Sequence, residues 1–140
     1  MVYDFGLLKG TIREFLDGFD HSALFWQEES AEFLRSAKAH SKRWVQLPVS
    51  PTAEQLSRVI FLGCRAFLDA TPRLNGDEAA RVHSVILHET ETGYAQCSLA
   101  DADSEAMGRI DLSKVIFSEQ VKAEWKDPAM WAKLLAGGKF

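Results

Sequence analysis

Arg81-Val-His-Ser-Val-Ile-Leu-His-Glu89, Thr90-Glu-Thr-Gly93 and Tyr94-Ala-Gln-Cys-Ser-Leu99 form the stretch whose reading decides the fold class. Residues 81–89 alternate as a strand does, with His83, Val85, Leu87 and Glu89 on one face. Val82, Ser84, Ile86 and His88 fall on the other. Residues 90–93 read as a turn, and residues 94–99 return as a second strand in which Ala95, Cys97 and Leu99 share a face. The pattern predicts an antiparallel hairpin.

Upstream, the apolar period lengthens to that of a helix. Ser50-Pro51 opens one, with Ser as the cap and Pro at the first position, where its missing N–H costs nothing. Leu56, Val59, Ile60, Gly63 and Phe67 mark its buried face, and Thr71-Pro72 with Asn75-Gly76 stops it. An earlier helix, capped by Asp4, carries Leu8, Ile12, Phe15, Leu16 and Phe19 as one stripe. Met1–Phe5 reads as a strand end running into it. Residues 26–40 are polar with a weaker helical pattern at Phe33 and Leu34, and Arg43–Leu47 alternates like an edge strand.

The expected class is therefore α+β. One hairpin is too little sheet for two amphipathic helices, because isolated two-stranded ribbons are marginal, so further strands are expected from elsewhere. We place a domain at residues 1–100 and a C-terminal extension at 101–140. The extension opens on an acidic linker, Asp101–Glu105, and holds a short helix, Ala129–Leu135, led by Asp127-Pro128 and ended by Gly137-Gly138. Its Trp125 and Trp131 are expected to pack on the domain body or on a neighbouring subunit.

A net charge of −4 gives no electrostatic reason for a nucleic-acid partner. No apolar run approaches the roughly 20 residues that span a bilayer, and no signal-peptide pattern leads the chain. No membrane association is expected, and the cytoplasm is the expected location. Cys64 and Cys97, far apart in sequence, read as reduced structural thiols.

Two constellations carry chemistry. Asp20-His21 pairs a carboxylate with an imidazole, the side chain suited to proton transfer near neutral pH. Glu89 ends an otherwise apolar strand face and so needs a partner or an opening. Glu54, in the first turn of its helix, complements the helix dipole without any ligand. The four histidines, His21, His40, His83 and His88, are not paired at ligand spacing, so no metal site is expected within this chain.

Four landmarks follow in order: Met1-Val-Tyr-Asp-Phe-Gly-Leu-Leu-Lys9, Phe19-Asp20-His21, Leu47-Pro-Val-Ser-Pro-Thr-Ala-Glu-Gln-Leu56 and Val85-Ile-Leu-His-Glu-Thr-Glu-Thr-Gly-Tyr-Ala95. Over about residues 1–99 the chain resembles the 6-carboxytetrahydropterin synthase / 6-pyruvoyl-tetrahydropterin synthase family, of the queuosine-pathway type. The resemblance implies a tunnelling fold, an antiparallel sheet with two helices on one face. It also implies a homo-oligomer with active sites at subunit interfaces. The implied substrate is 7,8-dihydroneopterin triphosphate, converted by a lyase to 6-carboxy-5,6,7,8-tetrahydropterin.

By the same resemblance Asp20 and His21 match the proton-transfer pair, Glu89 with Thr90 the pterin-anchoring end of the strand, and Thr52 with Glu54 the pocket-side motif. The implied cofactor is zinc on three histidines, with a cysteine as base. Those residues belong to an N-terminal hairpin whose counterpart is missing here. Cys64 and Cys97 do not match that base. Phe25 and Gln55 stand where the family commonly has Asn, and Glu91 where it has Pro. An alternative stays open: a non-catalytic pterin- or purine-binding protein, or an assembly subunit whose partner supplies the missing strands.

Overall fold

The computed structural model describes residues 10–71, 82–88 and 92–140. The elements run α1 (Thr11–Asp17), β1 (Ala23–Trp26), α2 (Ala31–His40), β2 (Trp44–Leu47), α3 (Ala53–Ala70), β3 (Ser84–His88) and β4 (Tyr94–Ser98). The tail adds α4 (Leu99–Ala102), a 3-10 turn (Leu112–Lys114), β5 (Ile116–Phe117), α5 (Glu119–Ala123) and α6 (Met130–Leu135). The fold is mixed α+β. The expected strand end at Met1–Phe5, Asp4 as a cap, Leu8, and the Pro72 and Asn75-Gly76 stop lie outside the described residues.

The hairpin forms as its alternation predicts. Val85 opposes Cys97 and Leu87 opposes Ala95 in an antiparallel register. Ala95 and Cys97 are buried, and Val85 and Leu87 pack on the core, while Ile86 and Tyr94 face outward. Leu99 departs from the expected strand face. Ser98 and Asp101 form a reciprocal capping box that turns the chain into α4, leaving Leu99 exposed.

A second sheet has the order β1-β2-β5, with β1 parallel to β2 and β5 antiparallel to it. β2 is therefore the central strand, not the edge that its alternation suggested. Its buried residues, Val45 and Leu47, join the core. The start of α3 also shifts: Thr52, not Ser50, caps it, its Oγ1 accepting from the Gln55 N–H at 3.2 Å. Pro51 thus lies ahead of the cap.

The predicted face of α3 is buried at Leu56, Val59, Ile60, Gly63 and Phe67. The helix is also buried on much of its remaining surface, at Ser57, Arg58, Phe61, Leu62 and Cys64. The tail explains part of this, because Trp125, Met130, Trp131 and Leu134 belong to the same core cluster. The short last helix begins at Met130, with the Asp127 carboxylate accepting from the Ala129 N–H, and Gly137 ends it at φ +84°.

Arg58 fastens α3 to the segment after β4. Its Nε donates to Asp101 O at 2.9 Å, and its two Nη atoms reach Gly108 O at 2.5 Å and Met107 O at 3.2 Å. Gln55 Oε1 accepts a further bond at 2.8 Å. The guanidinium fits because a planar fork of five N–H donors can meet several carbonyls at once. At 1% exposure, replacing it strands those carbonyls without water. Arg58→Met is expected to lower stability by about 3 kcal/mol or more in urea unfolding; a loss below about 1 kcal/mol would show that the carbonyls find other donors.

Candidate active site

Asp20 and His21 lie in the turn between α1 and β1. The turn is built on local backbone bonds, Gly18 N to Glu14 O at 3.1 Å and Asp20 N to Asp17 O at 3.1 Å. His21 has φ +54°, in the left-handed region, where a non-glycine residue carries strain. Its Nε2 lies 3.7 Å from Asp20 Oδ1. The imidazole is 90% exposed and the carboxylate 70%, so the pair stands in solvent on the turn.

Arg43 braces this turn from below. Its Nη2 donates to Asp17 O at 2.8 Å and to Asp20 O at 3.0 Å, and its Nη1 donates to the Glu124 carboxylate. The Arg43 bond, followed by one from Gln120, holds the Glu124 carboxyl below the usual carboxylate range. Sequence reading placed Arg43 only at the start of a strand. Nothing local signals its bond to a residue 81 positions away.

Thr52 and Glu54 occupy the N-terminal turn of α3. Thr52 uses its hydroxyl oxygen as the cap, and Glu54 is exposed with its carboxylate at the positive end of the helix. β1 and β2 run side by side from Ala23↔Trp44 to Trp26↔Leu47. Asp20 and His21 precede the first end of that ribbon, and Thr52 and Glu54 follow the second. The chain does not bring the two pairs to one end. Glu89 and Thr90 lie outside the described residues.

Among the described residues, no three His, Cys, Asp or Glu side chains converge where a metal ion would sit. His21, His40, His83 and His88 are all exposed, and His40 Nδ1 lies 2.7 Å from Ser36 O. Cys64 and Cys97 are free thiols buried in the core, and burial pushes each up to about 11. A thiol so raised is protonated near neutral pH and is a poor base there. The described residues therefore do not fit a three-histidine zinc site with a cysteine base. A cleft of about 440 Å³, lined by Arg58, Arg65, Asp69, Asp103 and Arg109 among others, includes none of the described site residues Asp20, His21, Thr52 and Glu54.

Because His21 is exposed and strained, its side chain contributes little to folding. Glycine adopts positive φ freely, so His21→Gly is expected to leave stability unchanged or raised by up to about 1 kcal/mol in thermal or urea unfolding. A fall of more than about 1 kcal/mol would mean that the imidazole holds the turn.

A family model described as 6-pyruvoyl tetrahydropterin synthase matches residues 1–100. Two proteins from Helicobacter pylori, strains J99 and 26695, both named 6-carboxy-5,6,7,8-tetrahydropterin synthase, are each 29% identical to this chain over 140 residues. Those alignments take in 99% of this chain and 70% of each relative, so they extend through the tail that the family model leaves out. The chain belongs to the 6-pyruvoyl tetrahydropterin synthase family.

Proposed function

We propose that the chain is a pterin-pathway lyase that converts 7,8-dihydroneopterin triphosphate to 6-carboxy-5,6,7,8-tetrahydropterin in queuosine biosynthesis. The observation that carries this reading is the 29% identity to proteins of that name along 99% of the chain. The exposed Asp20–His21 pair supports it, since a carboxylate beside an imidazole is suited to moving a proton at the substrate side chain. Glu89 is the anchor for the pterin ring, accepting two parallel hydrogen bonds from adjacent N–H and NH₂ donors. Thr90, Thr52 and Glu54 line the pocket.

When zinc is bound in this family it polarises the substrate side chain. In this reading its histidine ligands, the base cysteine and the first strand pair of the tunnelling fold come from outside the described residues. The chain's site is completed where subunits of a cytoplasmic homo-oligomer meet. The separation of Asp20–His21 from Thr52–Glu54 by the β1–β2 ribbon favours a site shared between copies.

A second reading is a non-catalytic pterin- or purine-binding protein, or a subunit whose partner supplies strands. The two-stranded sheet favours it, because among the described residues β3 and β4 pair only with each other and leave Ile86 and Tyr94 exposed. Zinc analysis and a dihydroneopterin triphosphate assay on the purified chain separate the two. Stoichiometric zinc with turnover would eliminate the second reading, for which pterin binding without metal or turnover is expected. In either case Glu89→Gln turns one acceptor into a donor facing donors and is expected to weaken pterin binding about tenfold or more by calorimetry. Unchanged affinity would remove Glu89 from the site.

A further inference from the structure

We infer that residues 117–126 of the tail, acting largely through Arg43, hold the Asp20–His21 turn in its working conformation. This makes Arg43 and Glu124 positioning residues. The inference rests on the proposed proton-transfer role of Asp20 and His21.

The imidazole of His21 is almost fully exposed, and its recorded partner is the neighbouring carboxylate at 3.7 Å. Its location is therefore set by the backbone. That backbone follows a seven-residue helix whose last carbonyls accept from the turn itself, Phe19 N to Leu16 O and Asp20 N to Asp17 O, both at 3.1 Å, and Asp17 O accepts from Arg43 as well. Arg43 Nη2 supplies one donor to Asp17 O and Asp20 O together, tying the helix end to the residue before His21. The orientation of the guanidinium is in turn fixed by Glu124, which follows α5.

Four more contacts come from the same stretch of tail. A Cβ on Gly18 would stand 3.2 Å from Val121 and 3.3 Å from Phe117, so the turn lies directly on α5 and β5. Phe19 meets Phe117 edge to face, with ring centres 5.6 Å apart. Trp125 Nε1 donates to Glu14 O at 3.1 Å, and the Lys126 N–H donates to Glu14 Oε1 at 2.7 Å. A left-handed residue persists where its surroundings over-determine the backbone, and these contacts do so for His21. All of them originate outside the residues that the family model matches.

The test uses the full chain with Arg43→Met, Glu124→Ala and Glu124→Gln. Amide hydrogen exchange is expected to quicken about tenfold at Phe19 and Asp20 in Arg43→Met, with the α3 amides staying within about twofold. The ring resonances of His21 should move with the turn. Glu124→Gln keeps an oxygen acceptor facing Arg43 and should fall between the parent chain and Glu124→Ala. Should Arg43→Met fail to fold, the Glu124 pair carries the same comparison. In the turnover assay, kcat should fall about tenfold in Arg43→Met with KM within about twofold. Unchanged turn exchange and His21 resonances would overturn the inference, as would equal acceleration in the turn and in α3. Lack of turnover in the parent chain bears on the functional reading alone; the exchange comparison still decides the brace.

Discussion

The ring of Phe15 lies where the first side-chain carbon of residue 63 would otherwise be, and the described fold depends on that close approach. A Cβ on Gly63 would run into the ring, so only glycine lets α1 settle on α3 at this depth. Phe15 is completely buried and touches Phe19, Phe67, Phe117 and Trp131, the last of them stacked at 5.4 Å. Burying such a side chain stabilises by roughly 1.5–3 kcal/mol, and well-placed ring pairs add about 0.5–1.5 each. The first helix has seven residues, well short of the roughly 12–15 that a free helix needs in water. It therefore exists because Phe15 docks, and the turn that bears Asp20 and His21 is placed by the same event.

The tail is part of that docking. Phe117 and Trp131 supply two of the rings around Phe15, and Trp131 Nε1 donates to Val115 O at 3.0 Å. Apolar contact alone is non-directional and permits sliding. Directional bonds remove that freedom here. Arg58 gathers carbonyls from the segment after β4, Arg65 and Asp103 form a two-pronged pair at 2.9 Å, and Phe140 N donates to Ala70 O at 2.9 Å. The burial of α3 on more than one face follows from being clasped on both sides.

What the sequence revealed was what repeats locally. The period of Leu56, Val59, Ile60, Gly63 and Phe67 placed α3, and the alternation around Val85 and Leu87 placed the hairpin, because each pattern records one buried face. β1 escaped notice, since Ala23-Leu-Phe-Trp26 does not alternate. The cap of α3 lies two residues beyond Ser50: serine is by type the stronger cap, but Thr52 is the residue whose oxygen meets a helical N–H. The turn at Leu99 was readable from the Ser98–Asp101 spacing of a capping box, but the alternation of the strand masked it. Asp20 and His21 were legible as a pair through adjacency and family resemblance. Arg43 and Glu124 were not, because a contact across 81 residues leaves no local mark.

The geometry also bears on what one chain can do by itself. β1 is four residues long and spans roughly 10 Å; the imidazole turn precedes it, and the α3 N-terminus follows its parallel neighbour β2. A carboxylate that grips a ring by two parallel bonds fixes that ring closely, leaving little freedom for the ring to reach both ends of the ribbon. On the proposed reading the two ends serve different pockets, each completed by a neighbouring copy. The tail then has a reason to be rigid. Catalytic groups that must meet a partner's pocket need a backbone set before the subunits join, because a misplacement of about 1 Å can cost a hundredfold in rate. A short helix docked by one phenylalanine does not supply that precision by itself; the arginine and the tail contacts make up the difference.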